Sequence, residues 1–312
     1  MTKNIPSRLK TAALRQVLQT EPWGNSSVTS DYATEQVDAV VAMIAEARWN
    51  PCFTTVNEFC QSHFWGLLAN NYPAVVIDCF LDSDTCDLAA KNFESRPTLL
   101  EYRQDNVSSK YLGRSLVELA DQPESYFDKV EDMFAETQTV FSDRHGEPLL
   151  SPLMRVMELV SNAWKPGAEL AQESGRSYFA GIMRAVKRSP LHNDWAPRDF
   201  PSWSIGRIQE QFTWNVYLRS PDSGDGIVKI YDKTWNELDE RFKHTSASMM
   251  GYEQEVVDSA KVASIEPKQG RLVIFKPSNY HEVTASSGET PRVSVSSFFG
   301  MFTTDKPMVF WS

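Results

Sequence analysis

The segment Ser189-Pro190-Leu191-His192-Asn193-Asp194-Trp195 sets a histidine and an aspartate two positions apart. On an extended chain residues i and i+2 project to the same side, so His192 and Asp194 offer an imidazole and a carboxylate to one metal ion. Alone, such a triplet is equally well a surface histidine beside a turn aspartate. A second histidine strengthens it: Tyr280-His281-Glu282-Val283 follows a turn and apolar strand at Gln269–Phe275. Shortly afterwards comes Arg292-Val293-Ser294-Val295-Ser296, whose alternation places Arg292, Ser294 and Ser296 on one strand face. A guanidinium flanked by hydroxyls suits a carboxylate held bidentately, although a surface ion pair would explain Arg292 equally well by itself. Together these residues describe a three-ligand metal face with an anion clamp nearby. The remaining histidines, His63, His145 and His244, have no partner at ligand spacing.

The elements that must position these residues fall into two parts. Residues 6–20 and 31–48 read as helices separated by a loop at 24–27. In the second, Ala33, Val37, Val40, Val41 and Ile44 recur at helical spacing, with Ser30 or Asp31 as a cap. An apolar strand at 74–80 leads through Asp82-Ser83-Asp84 into a helix carrying Leu88, Ala89 and Phe93. Residues 124–141 and 149–164 are expected as two further amphipathic helices. From about residue 177, alternating strand patterns take over. Thr213, Asn215 and Tyr217 share one face of a strand at 209–219, and Phe212, Trp214, Val216 and Leu218 share the other. Further strands are expected at 227–231, 261–266, 271–275, 280–285 and 292–302. Helices followed by strands imply an α+β fold in which an antiparallel β core is buttressed by helices.

The 312 residues are enough for a substantial core without staples, and 41 acidic against 31 basic side chains give a net charge of −10. That balance argues against nucleic acid as a partner. The opening MTKNIPSRLKTAAL has basic residues but no following apolar run, and the longest apolar stretch, Ala74 to Leu81, is too short to span a bilayer. Cys52, Cys60, Cys79 and Cys86 show no CxxC spacing and are expected as reduced thiols. The expected setting is the cytoplasm, with no membrane partner, a small-molecule substrate and an undetermined oligomeric state.

Two histidines and one carboxylate leave three coordination positions open, as in non-haem Fe(II) oxygenases. A zinc hydrolase could use the same ligands, but it leaves Arg292 unexplained and lacks an obvious general base. With H-N-D at 192–194, G-R-L-V-I-F at 270–275, H-E-V at 281–283 and R-V-S at 292–294, the chain resembles the Fe(II)/2-oxoglutarate-dependent dioxygenases. G-D-G-I-V-K-I-Y-D at 224–232 and M-V-F-W-S at 308–312 make it most similar to the group of N-substituted amino-acid hydroxylases and alkaloid halogenases.

The resemblance implies a double-stranded β-helix (jelly-roll, cupin-like) domain over 71–312, preceded by a helical N-terminal extension over 1–70. It implies that His192, Asp194 and His281 carry Fe(II), and that Arg292 with Ser294 binds the distal (C5) carboxylate of 2-oxoglutarate. Thr213 and Asn215, on the polar strand face, are further candidate contacts to 2-oxoglutarate. Trp195, Arg198, Trp203 and Arg207, on the loop after the metal motif, are candidate substrate contacts, with a buttressing loop as the plainer reading. The implied reaction is hydroxylation with O2 and release of succinate and CO2. In the halogenase branch a small residue replaces the ligand carboxylate so that chloride can bind, whereas this chain has Asp194. Desaturation, cyclisation or epimerisation at the same iron, or a non-catalytic metal-binding jelly-roll, are the alternatives.

Overall fold

The computed structural model describes residues 49–97, 99–101, 108–222, 224–246 and 249–312. The helices expected at 6–20 and 31–48, and the loop between them, lie outside the described residues. Strands in chain order are β1 Cys52–Thr54, β2 Ala74–Ile77, β3 Leu100–Glu101, β4 Ser108–Leu112, β5 Ala168–Leu170, β6 Gln172–Glu173, β7 Arg176–Ser177 and β8 Ile182–His192. They continue with β9 Glu210–Arg219, β10 Val228–Thr234, β11 Val262–Ile265, β12 Leu272–Phe275, β13 Asn279–Val283, β14 Arg292–Met301 and β15 Met308–Trp311. The helices are α1 Gln61–Leu68, α2 Ser83–Glu94, α3 Pro123–Phe127, α4 Val130–Val140, α5 Pro152–Ala163 and α6 Ala196–Asp199. No helix among the described residues is long and apolar enough to cross a membrane.

Strands β6 and β7 pair as a separate two-stranded sheet, and the other thirteen form one mixed, curled sheet whose main path runs β1-β2-β12-β9-β14-β8-β13-β10-β11, with β3, β4, β5 and β15 attached beside it. The long strand β8 is its pivot. Its first half, Ile182–Val186, pairs with β14 on one side and β4 on the other. Its last residues leave those partners and pair with β13, with a register shift between His192 and Ser189. One strand thus carries the chain from a large limb of the sheet into a smaller one.

Alternation on β9 explains how the limbs pack. Phe212, Trp214, Val216 and Leu218 join Leu272, Ile274, Val295 and Phe299 in a core roofed by Phe64 of α1, Ala89 and Phe93 of α2, and Val156 and Val160 of α5. Each fully buried side chain of this size contributes about 1.5–3 kcal/mol through removal from water. Tyr217, on the opposite face, packs instead with Val273 and Phe275 and with Val186, Val228, Ile230, Ile265 and Val283. The face that is polar along β9 therefore looks into the space between the limbs.

The helix starts follow local chemistry. Asp82 Oδ1 accepts the Thr85 amide at 2.8 Å and caps α2, while Ser151 caps α5 with Pro152 in its first turn. The helix expected over 124–141 is instead two, α3 and α4. Tyr126 and Phe127 are both buried against Tyr178 and Trp203. Neighbours on a continuous helix point about 100° apart, so burying both in one cluster requires the axis to change before Val130. Gly270 opens β12 at φ +74, where a Cβ would meet the Leu81 carbonyl at 2.3 Å, so the turn requires glycine.

Candidate metal centre

His192 closes β8 and His281 lies directly opposite it on β13. Cross-strand pairing, which local sequence does not encode, thus brings the two imidazoles to 4.2 Å between ring centroids. Asp194 follows His192 on the same side, and its amide donates to the Pro277 carbonyl at 2.9 Å, tying the turn to the approach to β13. Asp194 Oδ2 stands 3.8 Å from His192 Nε2 and 3.6 Å from His281 Nε2. Among the described residues these three form the one His/Cys/Asp/Glu group able to hold a metal ion, with all ligand atoms within 4.8 Å of one another.

The tautomers are set by the backbone. His192 Nδ1 lies 2.7 Å from the Pro190 carbonyl and His281 Nδ1 lies 2.9 Å from the Asn279 carbonyl. A carbonyl only accepts, so each Nδ1 carries the proton, and the neutral ring presents its Nε2 lone pair to the centre. Burial, aided by the neighbouring His281 and by Arg184, lowers the His192 pKa to about 4. Burial alone would raise the Asp194 pKa, but hydrogen bonding from the His281 ring and the charges that the imidazoles gain on protonation in acid outweigh that and hold it at about 2. At neutral pH the pair is therefore a neutral imidazole and an ionised carboxylate, the forms that bind a metal. Phe275 stands edge-on to His281 at 5.0 Å and walls that side.

The inner face of the sheet also carries a buried positive charge. Arg292 is 4 % exposed, and burial lowers its pKa. It makes one long hydrogen bond, 3.4 Å to the Gly226 carbonyl, and its Nε has no partner among the described residues. Its guanidinium lies 5.6 Å from the Tyr217 ring centre, and the Tyr217 hydroxyl is likewise buried without a partner. Ser294, 1 % exposed, stands opposite Tyr217 across the strands. Unmet buried donors are costly; a carboxylate here would satisfy both, and the donor set fits one end of a dicarboxylate. The Tyr217 hydroxyl is a candidate that strand alternation allowed but did not single out.

The other candidates are distributed more widely. Thr213 spends its hydroxyl on the Ser297 carbonyl at 3.2 Å, and half-buried Asn215 lies opposite Ser296 and Val273 on the inner face. Trp195 is half-buried at the start of α6. Arg198 is committed to the metal turn: it bonds both Asp199 oxygens at 2.7 and 2.9 Å, both the side chain and the carbonyl of Asn193, and the Tyr252 hydroxyl at 3.4 Å. Tyr252 in turn donates to Glu240 at 2.6 Å, and its amide reaches the Leu191 carbonyl at 2.9 Å. Gly251 permits that approach, since a Cβ there would lie 2.2 Å from the same carbonyl. Trp203 is buried among Tyr126, Phe127 and Tyr178, and Arg207 is exposed. The structure therefore keeps Trp195 and Arg198 at the metal turn and places Trp203 in a separate aromatic cluster. His63, His145 and His244 bond elsewhere, to the Cys60 amide, Arg144 and Glu253.

Residues 65–312 match the family model described as carrier-protein-independent halogenase WelO5. A curated relative, leucinostatins biosynthesis cluster protein S of Purpureocillium lilacinum, is 34 % identical over 199 residues, spanning 60 % of this chain and 79 % of that protein. The fold is similar to the crystal structure of an N-substituted L-amino acid dioxygenase from Burkholderia ambifaria AMMD in complex with alpha-ketoglutarate. The TM-score is 0.52 at 16 % identity, over 80 % of this chain and 90 % of that one. A second crystal structure of that dioxygenase gives a TM-score of 0.51 at 16 % identity, over 81 % and 91 % of the two chains. With the family model covering most of its length, the chain belongs to the WelO5 family, within the Fe(II)/2-oxoglutarate-dependent oxygenases.

Proposed function

We propose that this protein hydroxylates an unactivated C–H bond of a small molecule, an amino acid derivative or a natural-product intermediate, using Fe(II), 2-oxoglutarate and O2. The observation that carries the reading is the Asp194 carboxylate within 3.8 Å of both histidine Nε2 atoms. Where halogenases of this kind carry a small residue and leave room for chloride, Asp194 fills the position, which favours oxygen insertion over halogenation. The substrate class draws support from a relative belonging to a biosynthesis cluster and from the N-substituted amino acid dioxygenase of similar fold. The curled sheet, with β8 crossing between its limbs, would be the double-stranded β-helix of this group.

His192, Asp194 and His281 would hold the iron, and Arg292, Tyr217 and Ser294 the distal carboxylate of 2-oxoglutarate. Iron with its cosubstrate and O2 supplies the oxidation, in which 2-oxoglutarate becomes succinate and CO2 and one oxygen atom enters the substrate. The chain supplies position. Backbone-locked tautomers keep both Nε2 lone pairs aimed at one point, and Phe275 packs edge-on against the His281 ring. No side chain is asked to act as a general acid or base.

The test is anaerobic addition of Fe(II) and 2-oxoglutarate, which should produce the weak visible charge-transfer band of the chelate, followed by O2-dependent succinate formation. Absence of both refutes the oxygenase reading. Chlorinated product formed by the unaltered protein in chloride buffer would overturn the role given to Asp194.

A further inference from the structure

Three consecutive carbonyls on the approach to β13 organise one side of the metal centre. Pro277 accepts the Asp194 amide at 2.9 Å, Ser278 accepts the Trp235 amide at 3.0 Å, and the Asn279 carbonyl lies 2.9 Å from His281 Nδ1. Two of the three ligands therefore take their placement from one short stretch, and whatever fixes that stretch fixes them. Its anchor is the Asn279 side chain, 1 % exposed. Asn279 Oδ1 accepts the Thr234 hydroxyl of β10 at 2.7 Å, and Asn279 Nδ2 donates to Asn70 Oδ1 at 2.7 Å. Asn70 Nδ2 donates in turn to Asp232 Oδ1 at 2.8 Å. Asn70 stands just past α1, 209 positions before Asn279, at φ +59. Asparagine tolerates that left-handed backbone at a helix end. The Asn70 amide bonds the Leu67 carbonyl at 3.1 Å and the Asn71 amide bonds the Gly66 carbonyl at 2.9 Å, so the helix end holds the side chain in place.

We propose that Asn70 and Asn279 are positioning residues for the metal centre. The chain of hydrogen bonds Asp232–Asn70–Asn279–Thr234 holds the carbonyls of 277–279 so that His281 Nε2 and the Asp194 carboxylate stay aimed at one ion. The inference rests on the reading of His192, Asp194 and His281 as metal ligands and extends it to a helix end distant in sequence. Asn70 acts through Asn279, whose buried amide is engaged at both ends. That amide cannot turn without leaving a polar atom unpaired and away from water. A ring free to pivot about its carbonyl partner spreads its lone pair over a wider cone, and metal affinity depends on that aim being fixed beforehand. His192 takes its Nδ1 partner from Pro190 instead, outside this chain of bonds. Loosening the approach therefore disturbs two ligands and spares the third.

The test uses two probes on the full chain: Fe(II), titrated anaerobically by calorimetry without 2-oxoglutarate, and Co(II), whose visible bands report ligand geometry. Asn70→Gly suits the left-handed backbone and removes the amide. It should weaken Fe(II) by about tenfold, the lower end for losing an outer partner of a metal ligand, and alter the Co(II) bands. Asn92→Ala controls for plain loss of stability, since Asn92 bonds the Val140 and Ser142 carbonyls at 3.0 and 3.3 Å. That variant should lower the melting temperature while Fe(II) affinity stays within about twofold. Exchanging the pair, Asn70→Asp with Asp232→Asn, keeps the acceptor for Asn279 and reverses the second bond, so it should restore affinity and bands. Thr234→Val, which strands Asn279 Oδ1, should weaken Fe(II) several-fold and serves if the glycine variant does not fold. Affinities within about twofold of the unaltered protein for both Asn70→Gly and Thr234→Val would overturn the proposal. So would an equal loss in Asn92→Ala, or an exchanged pair no better than Asn70→Gly. Unaltered protein that does not bind Fe(II) refutes the metal centre itself, which is a different failure.

Discussion

At the metal turn, Asn193 to Asp199, nearly every polar group is spoken for: Arg198 alone engages Asn193, Asp199 and Tyr252, and only Asn193 Nδ2 is left buried without a partner. On the inner face of the sheet, by contrast, Arg292 Nε and the Tyr217 hydroxyl are both buried without a hydrogen-bond partner among the described residues. The difference separates two ways of preparing a site. Ligands that must meet a metal in one geometry are locked by a closed hydrogen-bond network, whereas donors meant for an exchangeable anion keep their capacity free and carry a cost while they wait. Arg271 provides the control. It is as buried as Arg292, each at 4 % exposure, yet it grips Asp78 at 2.6 and 3.2 Å and the Glu266 carbonyl at 3.0 Å. Burial of an arginine therefore does not by itself indicate a ligand site; burial without a carboxylate does.

The largest expected effect lies at Arg292. Arg292→Met should weaken 2-oxoglutarate binding by about a hundredfold, the worth of a buried bidentate ion pair. Fe(II) affinity measured without cosubstrate should hold, and so should the melting temperature. A drop in melting temperature would mean that Arg292 is structural after all. Next, Arg198→Met should cost about 2–3 kcal/mol of folding stability by stranding Asp199 and Asn193. It should also lower Fe(II) affinity by about tenfold or more through the loosened Asp194 turn. Calorimetric titration of the metal separates these two losses, and unchanged metal affinity would remove Arg198 from the site.

Tyr217→Phe turns the comparison into a matter of sign. Removing an unsatisfied buried hydroxyl should raise the stability of the ligand-free protein by about 0.5–1 kcal/mol while weakening 2-oxoglutarate several-fold, about fivefold for one neutral donor. Denaturant melts with and without 2-oxoglutarate would show the two effects crossing, and destabilisation of the ligand-free protein would contradict the assignment. The smallest effect belongs to the control pair. The hydrogen bond and charge of Arg271 lower the Asp78 pKa below the ordinary carboxylate value, so its contribution is present above about pH 4 and is lost as pH falls through the lowered value. Because the Asp78 side chain is half exposed, the contribution is about 1 kcal/mol or less. Asp78→Asn should flatten the acid limb of the stability curve by that amount, and an unchanged limb would show that the pair contributes nothing.

Much of the site could be read from the chain alone because its signals are local. The i, i+2 spacing of His192 and Asp194, the alternation that sets Thr213, Asn215 and Tyr217 on one face, and the Asp82 cap of α2 all depend on backbone geometry within a few residues. Those residues, with His281 and Arg292, were enough to specify the chemistry the chain can support. The rest depended on pairing between distant segments. His281 reaches His192 only because β13 runs antiparallel to β8 in one register. That Arg198 is committed to the metal turn is decided by its contacts with Asn193 and with Tyr252, 54 residues away, as well as by its neighbour Asp199. Local spacing determines which ligands this protein can offer, and tertiary structure decides which donors remain free to take one, because a hydrogen bond formed across the fold removes a donor from every other use.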